Sequence, residues 1–406
     1  MGTWIGFSLS IVLLLVLSRR NLALGMFVAA VVLAAFSLSG GQIVNALAST
    51  AADPSVWLLA WVVALIPMIG GVLEESGQMD RLVSNLRIGV RPFLAFAPAL
   101  LGMLPMPGGA LLSAPLVERG AGHVPDDIKA SANVWFRHVL LLVYPLGSAL
   151  IASSKAAGLS VYRVIPFMVP SCLIIALLGV VFLLRRAEGP AATLPGSHDG
   201  SVGDEREPFS WKGLLVPLML ILIAPILDLT LAMTCSLPYA EIGTAIGISV
   251  SLVISAVVGR TQRTTLRTVF QRMRPWKYAL IILAMFLFLA VFQSSGIPEA
   301  IADMSLHPVL LCVIVGFLLG AVTGRIQAPM AILIPIFVST YGSMGMAAFA
   351  VTYTAVFLGY IITPVHPCIS VSVEYFHTSI AAFLRRIALP VAIGWLLTVV
   401  AGWLLL

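Results

Sequence analysis

His366 stands between two prolines in the run "IITPVHPCIS", residues 361–370, with Cys368 and Ser370 close behind it. An imidazole can change protonation near neutral pH, which suits a proton relay. It can equally be a neutral ring bonded to a backbone carbonyl that a proline has set free. His138 raises the same two readings six residues before Tyr144, in a second proline-containing run, "VYPLGS", which also holds Gly147 and Ser148. Arg325 and Gln327 lie in "TGRIQAPMA". A guanidinium fork there suits a carboxylate or phosphate, with Gln327 adding amide hydrogen bonds. The plainer alternative is a rim arginine whose charge reaches the lipid headgroups. "LPMPGGALLS" supplies Pro107, Gly108, Gly109 and Ser113, an amide-rich turn open to close approach, or simply a turn that needs glycine. Glu75 is either an interfacial carboxylate or a proton-coupling one. Thr363 and Ser370 flank the second break, where hydroxyls coordinate an ion or satisfy freed backbone.

These residues are the candidate site. Pro107, Gly108, Gly109, Ser113, Tyr144, Gly147, Ser148, Arg325, Gln327, Thr363 and His366 would hold a substrate. Glu75, His138, His366 and Ser370 would serve a coupling ion. The four cysteines, Cys172, Cys235, Cys312 and Cys368, lie far apart in apolar surroundings and read as small core residues, so no metal or cofactor is expected.

The elements that must position this polar set are apolar. Of 406 residues, 60% are hydrophobic and 10% charged, where a soluble domain carries about 25% charge. Apolar runs near the length needed to cross about 30 Å of hydrocarbon recur along the whole chain. The reading is an all-α polytopic membrane protein in the lipid bilayer. About ten spans are expected, at 2–18, 21–39, 55–73, 133–153, 162–184, 213–232, 236–258, 278–293, 347–372 and 382–405. Two further segments, 92–117 and 306–340, are interrupted and read as re-entrant hairpins. Half-helices of about 12 residues reach only about 18 Å. With both hairpins returning to the side they left, nearly all basic loop residues sort inside, and only Lys155 and Arg163 fall outside. The net charge of +6 therefore sets orientation and does not imply nucleic acid. The first charges, Arg19 and Arg20, follow the first apolar run, which predicts a retained span with both chain termini outside.

The chain also repeats. Ser76 and Ser295 differ by 219, Gly102 and Gly320 by 218, Pro115 and Pro335 by 220, Pro145 and Pro364 by 219, and Pro170 and Pro390 by 220. Residues 1–184 and 213–406 then form two repeats of five spans and one hairpin each. An odd number of crossings makes the second repeat inverted relative to the first. Such repeats, with broken helices in matching places, mark secondary transporters. Residues 185–212 form a polar cytoplasmic linker.

Several stretches carry a family resemblance: "GGVLEESGQMDRLVSNL", "LPMPGGALLSAP", "NVWFRHVLLLVYPLGSALIASS" and "LGYIITPVHPCISVS". They resemble an integral-membrane family known as domain of unknown function 401, within the ion transporter superfamily. That superfamily includes dicarboxylate, gluconate and citrate permeases. The resemblance implies two inverted repeats, an inner (cytoplasmic) membrane location and a homodimer. Neither hairpin tip carries the Ser-Asn-Thr motif of the dicarboxylate symporters, so sodium coupling and a dicarboxylate are not implied.

The leading functional reading is a secondary active transporter, not an enzyme. It would move a small anion, an organic carboxylate, by alternating access with proton or sodium coupling. An intramembrane serine hydrolase using Ser148 and a passive channel are the alternatives. No Walker motif, G-x-S-x-G or H-E-x-x-H sequence occurs.

Overall fold

The computed structural model describes residues 2–18, 20–86, 88–103, 109–185, 187, 210–239, 241–304 and 306–406. Pro107 and Gly108, and nearly all of the linker, lie outside the described residues.

The first half opens with α1 (Gly2–Ser18), α2 (Leu22–Ser37), α3 (Gly40–Ala52) and α4 (Pro54–Glu75). It continues with the short α5 (Gln78–Ser84) and a pair of apolar arms, α6 (Val90–Gly102) and α7 (Gly109–Ala121). Then come α8 (Asp126–Val139), one 3-10 turn (Leu140–Leu142), α9 (Ser148–Ala156) and α10 (Val161–Phe182). The second half has α11 (Trp211–Thr234), α12 (Glu241–Val258), α13 (Arg263–Met273), α14 (Pro275–Gln293) and α15 (Ile297–Ala302). A π-helical segment (Leu310–Val315) leads into α16 (Gly316–Thr323), followed by α17 (Gln327–Tyr341), α18 (Met346–Ile362), α19 (Pro367–Tyr375) and α20 (Ile380–Leu405).

This is a multi-pass, all-α membrane protein. Among the described residues, seven helical segments are long and apolar enough to cross a bilayer. The expected span 21–39 comes out shorter, as the 16-residue α2. The reason is local. Ser39 and Gln42 form a capping box, so the chain starts a new helix, α3, where a plain loop was expected. The expected span 133–153 is also differently built. Its helix begins at Asp126, because Pro125 precedes two acidic residues that suit a helix N-terminus. Residues 260–277, expected as a loop, contain the amphipathic α13.

The two breaks fall where the prolines predicted. The first runs from Val143 to Gly147, and Gly147 is the N-cap of α9. The second runs from Thr363 to His366, and His366 is the N-cap of α19. The N-caps differ by 366 − 147 = 219. Even the turns match: Gly147 N–H donates to the Tyr144 carbonyl at 2.9 Å, and His366 N–H donates to the Thr363 carbonyl at 3.0 Å.

Helices meet through small residues and single hydrogen bonds, as expected where lipid supplies no hydrophobic drive between helices. A Cβ on Gly102 would overlap the Arg137 carbonyl oxygen, and a Cβ on Gly320 would overlap the Val356 carbonyl oxygen. The same tight contact thus holds α6 to α8 and α16 to α18. Ser10 Oγ donates to the Ala29 carbonyl at 2.8 Å, and Ser251 Oγ to the Leu220 carbonyl at 2.8 Å. Each such bond contributes about 0.6 kcal/mol. The most enclosed long helices are α4 and α18, and the site forms beside α18.

Candidate functional site

A cavity of about 310 Å³ lies where the broken elements converge. Its wall includes Ala110, Ser148, Gln327 and Cys368, each in the first turn of a different helix. The four helices are α7, α9, α17 and α19. A helix N-terminus carries unpaired N–H groups and partial positive charge, so four of them facing one space favour an anion. α6 and α16 contribute the C-terminal side, through Gly102 and Gly324. Gly324 ends α16 at φ +59°, a left-handed turn that suits glycine and turns the chain under His366.

Two guanidiniums also reach the wall. Arg137, on α8, is buried at 4% exposure, and Arg325, between α16 and α17, is half-buried. Arg137 donates to Ser113 Oγ at 3.4 Å, and Arg325 Nε donates to the Ser18 carbonyl at 3.0 Å. Among the described residues no carboxylate pairs with either. An uncompensated charge buried in protein costs several kcal/mol, so this arrangement is unfavourable until an anion enters.

His138 and His366 meet in the same wall. Their Nε2 atoms are 3.2 Å apart, and the rings cross edge to face at 4.8 Å between centroids. His138 Nδ1 lies 2.6 Å from the Val134 carbonyl, a contact that requires Nδ1 to carry a proton. In a neutral pair, His138 Nε2 is then the acceptor and His366 Nε2 the donor. His366 Nδ1 is left buried with no partner. Tyr360 lies against both rings, with centroids 5.4 Å from His138 and 4.2 Å from His366. His138, His366 and Cys368 bring their ligating atoms within 4.8 Å of one another, a set that could hold a metal ion. The two neighbouring guanidiniums make that position unfavourable for a cation.

Of the residues singled out in the sequence, Gly147, Ser148, Arg325, Gln327, His138 and His366 line the cavity. Ser113 touches it through Arg137, and Gly109 begins α7 beside Ala110. Tyr144 and Thr363 are buried within the breaks without reaching the wall, and Ser370 is exposed on α19. Glu75, expected among the ion-coupling groups, lies elsewhere. It ends α4, and Arg272 binds it at 3.1 Å and Glu74 at 2.8 Å. The candidate site read from the sequence did not include Arg137, for which an interfacial place was as good a reading as a functional one, nor Tyr278, Tyr353, Tyr360 and Cys368. One signal was available: Tyr353 and Tyr360 are seven residues apart and share a helix face.

The chain from residue 5 to residue 406 matches the family model described as a protein of unknown function, DUF401. The chain belongs to this family. A search of curated proteins finds no match. Among solved structures, this DUF401 protein is similar to the YdaH transporter of Alcanivorax borkumensis, whose crystal structure is described as revealing an unusual topology. The TM-score is 0.56 and the identity 18%, over 89% of this chain and 86% of the other. At that identity the likeness establishes a shared fold for the DUF401 chain.

Proposed function

We propose that this DUF401 protein is a secondary transporter of a small anion, an organic carboxylate, working by alternating access in the inner membrane. The observation that carries the reading is the pair Arg137 and Arg325 in one cavity without a carboxylate partner among the described residues. The four helix N-termini and the fold shared with a transporter support it. The cavity volume, at the low end of ligand sites, suits a small solute. The matched breaks and matched glycine contacts at offsets near 219 support two inverted repeats, 1–184 and 213–406, each with a hairpin. A homodimer rests on the family resemblance alone.

Coupling is to a proton or to sodium, and the His138–His366 pair favours the proton. A proton added to that pair is a third positive charge beside two guanidiniums. A carboxylate bound between them removes that penalty, so anion and proton bind better together than apart. Uptake into proteoliposomes is expected to rise as pH falls between about pH 8 and 5, and His366→Gln should flatten that rise. A profile unchanged in shape would leave His366 a structural role.

The direct test is a thermal-shift screen of carboxylates and other anions at varied pH and sodium, followed by uptake into proteoliposomes. Stabilisation by a cation or neutral solute, with no anion active, would overturn the charge assignment. Ser148→Ala separates transport from hydrolysis. No histidine hydrogen-bonds Ser148 among the described residues, so the variant should weaken anion binding at the α9 N-terminus yet keep measurable flux, whereas a serine hydrolase would lose all turnover.

A further inference from the structure

Asp228 is an acid inside an otherwise apolar helix, α11, and it is 5% exposed. An ionisable group at membrane depth calls for a partner and a purpose. Its Oδ2 accepts hydrogen bonds from Tyr162 Oη on α10 at 2.8 Å and from Thr244 Oγ1 on α12 at 2.9 Å. Glu241, the first residue of α12, is 9% exposed and lies one turn before Thr244, the residue that bonds Asp228. Glu241 Oε1 pairs with Lys155 Nζ, in the last turn of α9, at 2.8 Å. Glu241 Oε2 is buried and has no hydrogen-bond donor. Tyr144 is the next titratable neighbour, acting on Tyr162.

The charges do not balance. Two carboxylates face one ammonium, leaving a net charge of −1 among groups that are mostly buried. No second cation pairs with either acid among the described residues. One proton makes the cluster neutral and removes the charge from the orphaned carboxylate, whose burial is otherwise uncompensated. A sodium ion fits less well, because the Lys155 ammonium already occupies Glu241 Oε1 and repels another cation.

We propose that Asp228 and Glu241 together hold one exchangeable proton, at a site separate from the His138–His366 pair. The proton comes from water at the bundle end where α11 stops and α12 starts, past the partly exposed Lys155, and returns to water there. One carboxylate O–H bond forms or breaks, and nothing else changes. Proton loss strengthens the hold of the cluster on Lys155. Lys155 ends α9, a nine-residue helix whose first residue, Ser148, lines the anion cavity. The site can thereby bias the position of α9 according to its protonation. That coupling rests on the transporter reading, whereas the proton site itself does not.

Infrared difference spectra of the purified protein, titrated from alkaline to acid pH in sodium-free and sodium-containing buffer, read the proton directly. A protonated-carboxyl band should rise on acidification in the parent and in His366→Gln, and be lost in Asp228→Asn. Glu241→Gln should displace its midpoint, and Tyr162→Phe should do so without removing either acid, which covers a misfolded Asp228→Asn. Absence of the band in the parent, or its persistence unshifted in all three cluster variants, overturns the proposal. So does sodium-dependent loss of the band in the parent. In proteoliposomes, proton-driven uptake should fall roughly tenfold in Asp228→Asn while anion-induced thermal stabilisation is retained. A band with no anion binding at all would instead overturn the anion reading and leave the proton site standing.

Discussion

Arg137→Gln is expected to make the protein more heat-stable and a much weaker binder of its anion. The two effects have opposite signs because they arise from the same buried charge. In the empty cavity the Arg137 guanidinium is 4% exposed, and its side chain has a hydroxyl, Ser113 Oγ, where an ion pair would need a carboxylate. Removing such a charge relieves a desolvation cost of about 1–4 kcal/mol. In the occupied cavity the same group makes charge-assisted hydrogen bonds, and losing them costs about 2–5 kcal/mol of binding, or roughly 30-fold or more in affinity. Arg325→Gln should act in the same direction with a smaller stability gain, since Arg325 is only half-buried. Lysine should restore charge but not a two-pronged contact, so Arg137→Lys is expected to recover only part of the affinity. Differential scanning fluorimetry with and without the best carboxylate from the screen checks both signs in one experiment. A variant that loses stability and keeps its ligand shift would make Arg137 a structural residue.

The second large effect is steric. Gly102→Val and Gly320→Val should each lower the melting temperature and the yield of folded protein, by overpacking worth at least about 1–3 kcal/mol. At both positions the atom in the way is a backbone carbonyl oxygen, of Arg137 or of Val356, which cannot swing aside as a side chain can. The two variants should differ in function. Gly102 presses on the residue that carries the buried guanidinium, so any folded Gly102→Ala protein should also bind anion more weakly. Gly320 presses on α18 one turn before Tyr360, so Gly320→Ala should disturb the tyrosine and histidine side of the cavity. Equal melting temperatures for parent and both valine variants would mean that these helix pairs are not in close contact.

Much of this was written locally. Both breaks could be read from Pro145 and Pro364 because the two recur 219 residues apart in runs that also carry glycine or histidine; proline alone does not stop a helix here, since Pro67, Pro115, Pro170, Pro335 and Pro390 lie inside helices. His366 and Gly147 fall at matching N-caps because the repeat offset is uniform over this region. Arg325 stood out because charge is rare in apolar sequence. Arg137 did not, for a physical reason. It follows the mixed sequence "DDIKASANVWF", and nothing local distinguishes a guanidinium reaching the interface from one turned into a cavity. That choice depends on where α6 and α7 pack against α8. Asp228 and Glu241 escaped notice in the same way. Each looks like an isolated acid near a helix end until α9, α10 and α12 bring Lys155, Tyr162 and Thr244 to them. Glu75 shows the converse, since a carboxylate ending an apolar helix looked available in sequence and Arg272 from α13 pairs with it in the fold.

By itself the sequence determined a polytopic membrane protein, pointed to its two helix breaks and placed matching landmark residues 218–220 positions apart. Those properties follow from hydrophobicity, proline geometry and order along the chain, which need no partner element. Only the tertiary structure decided which polar groups meet. It set the two imidazoles 3.2 Å apart although they are 228 residues apart in sequence, and it turned Arg137 inward beside Arg325. Contacts of that kind are selected by helix packing, and in a membrane the packing is governed by close backbone approach at glycines rather than by the hydrophobic pattern.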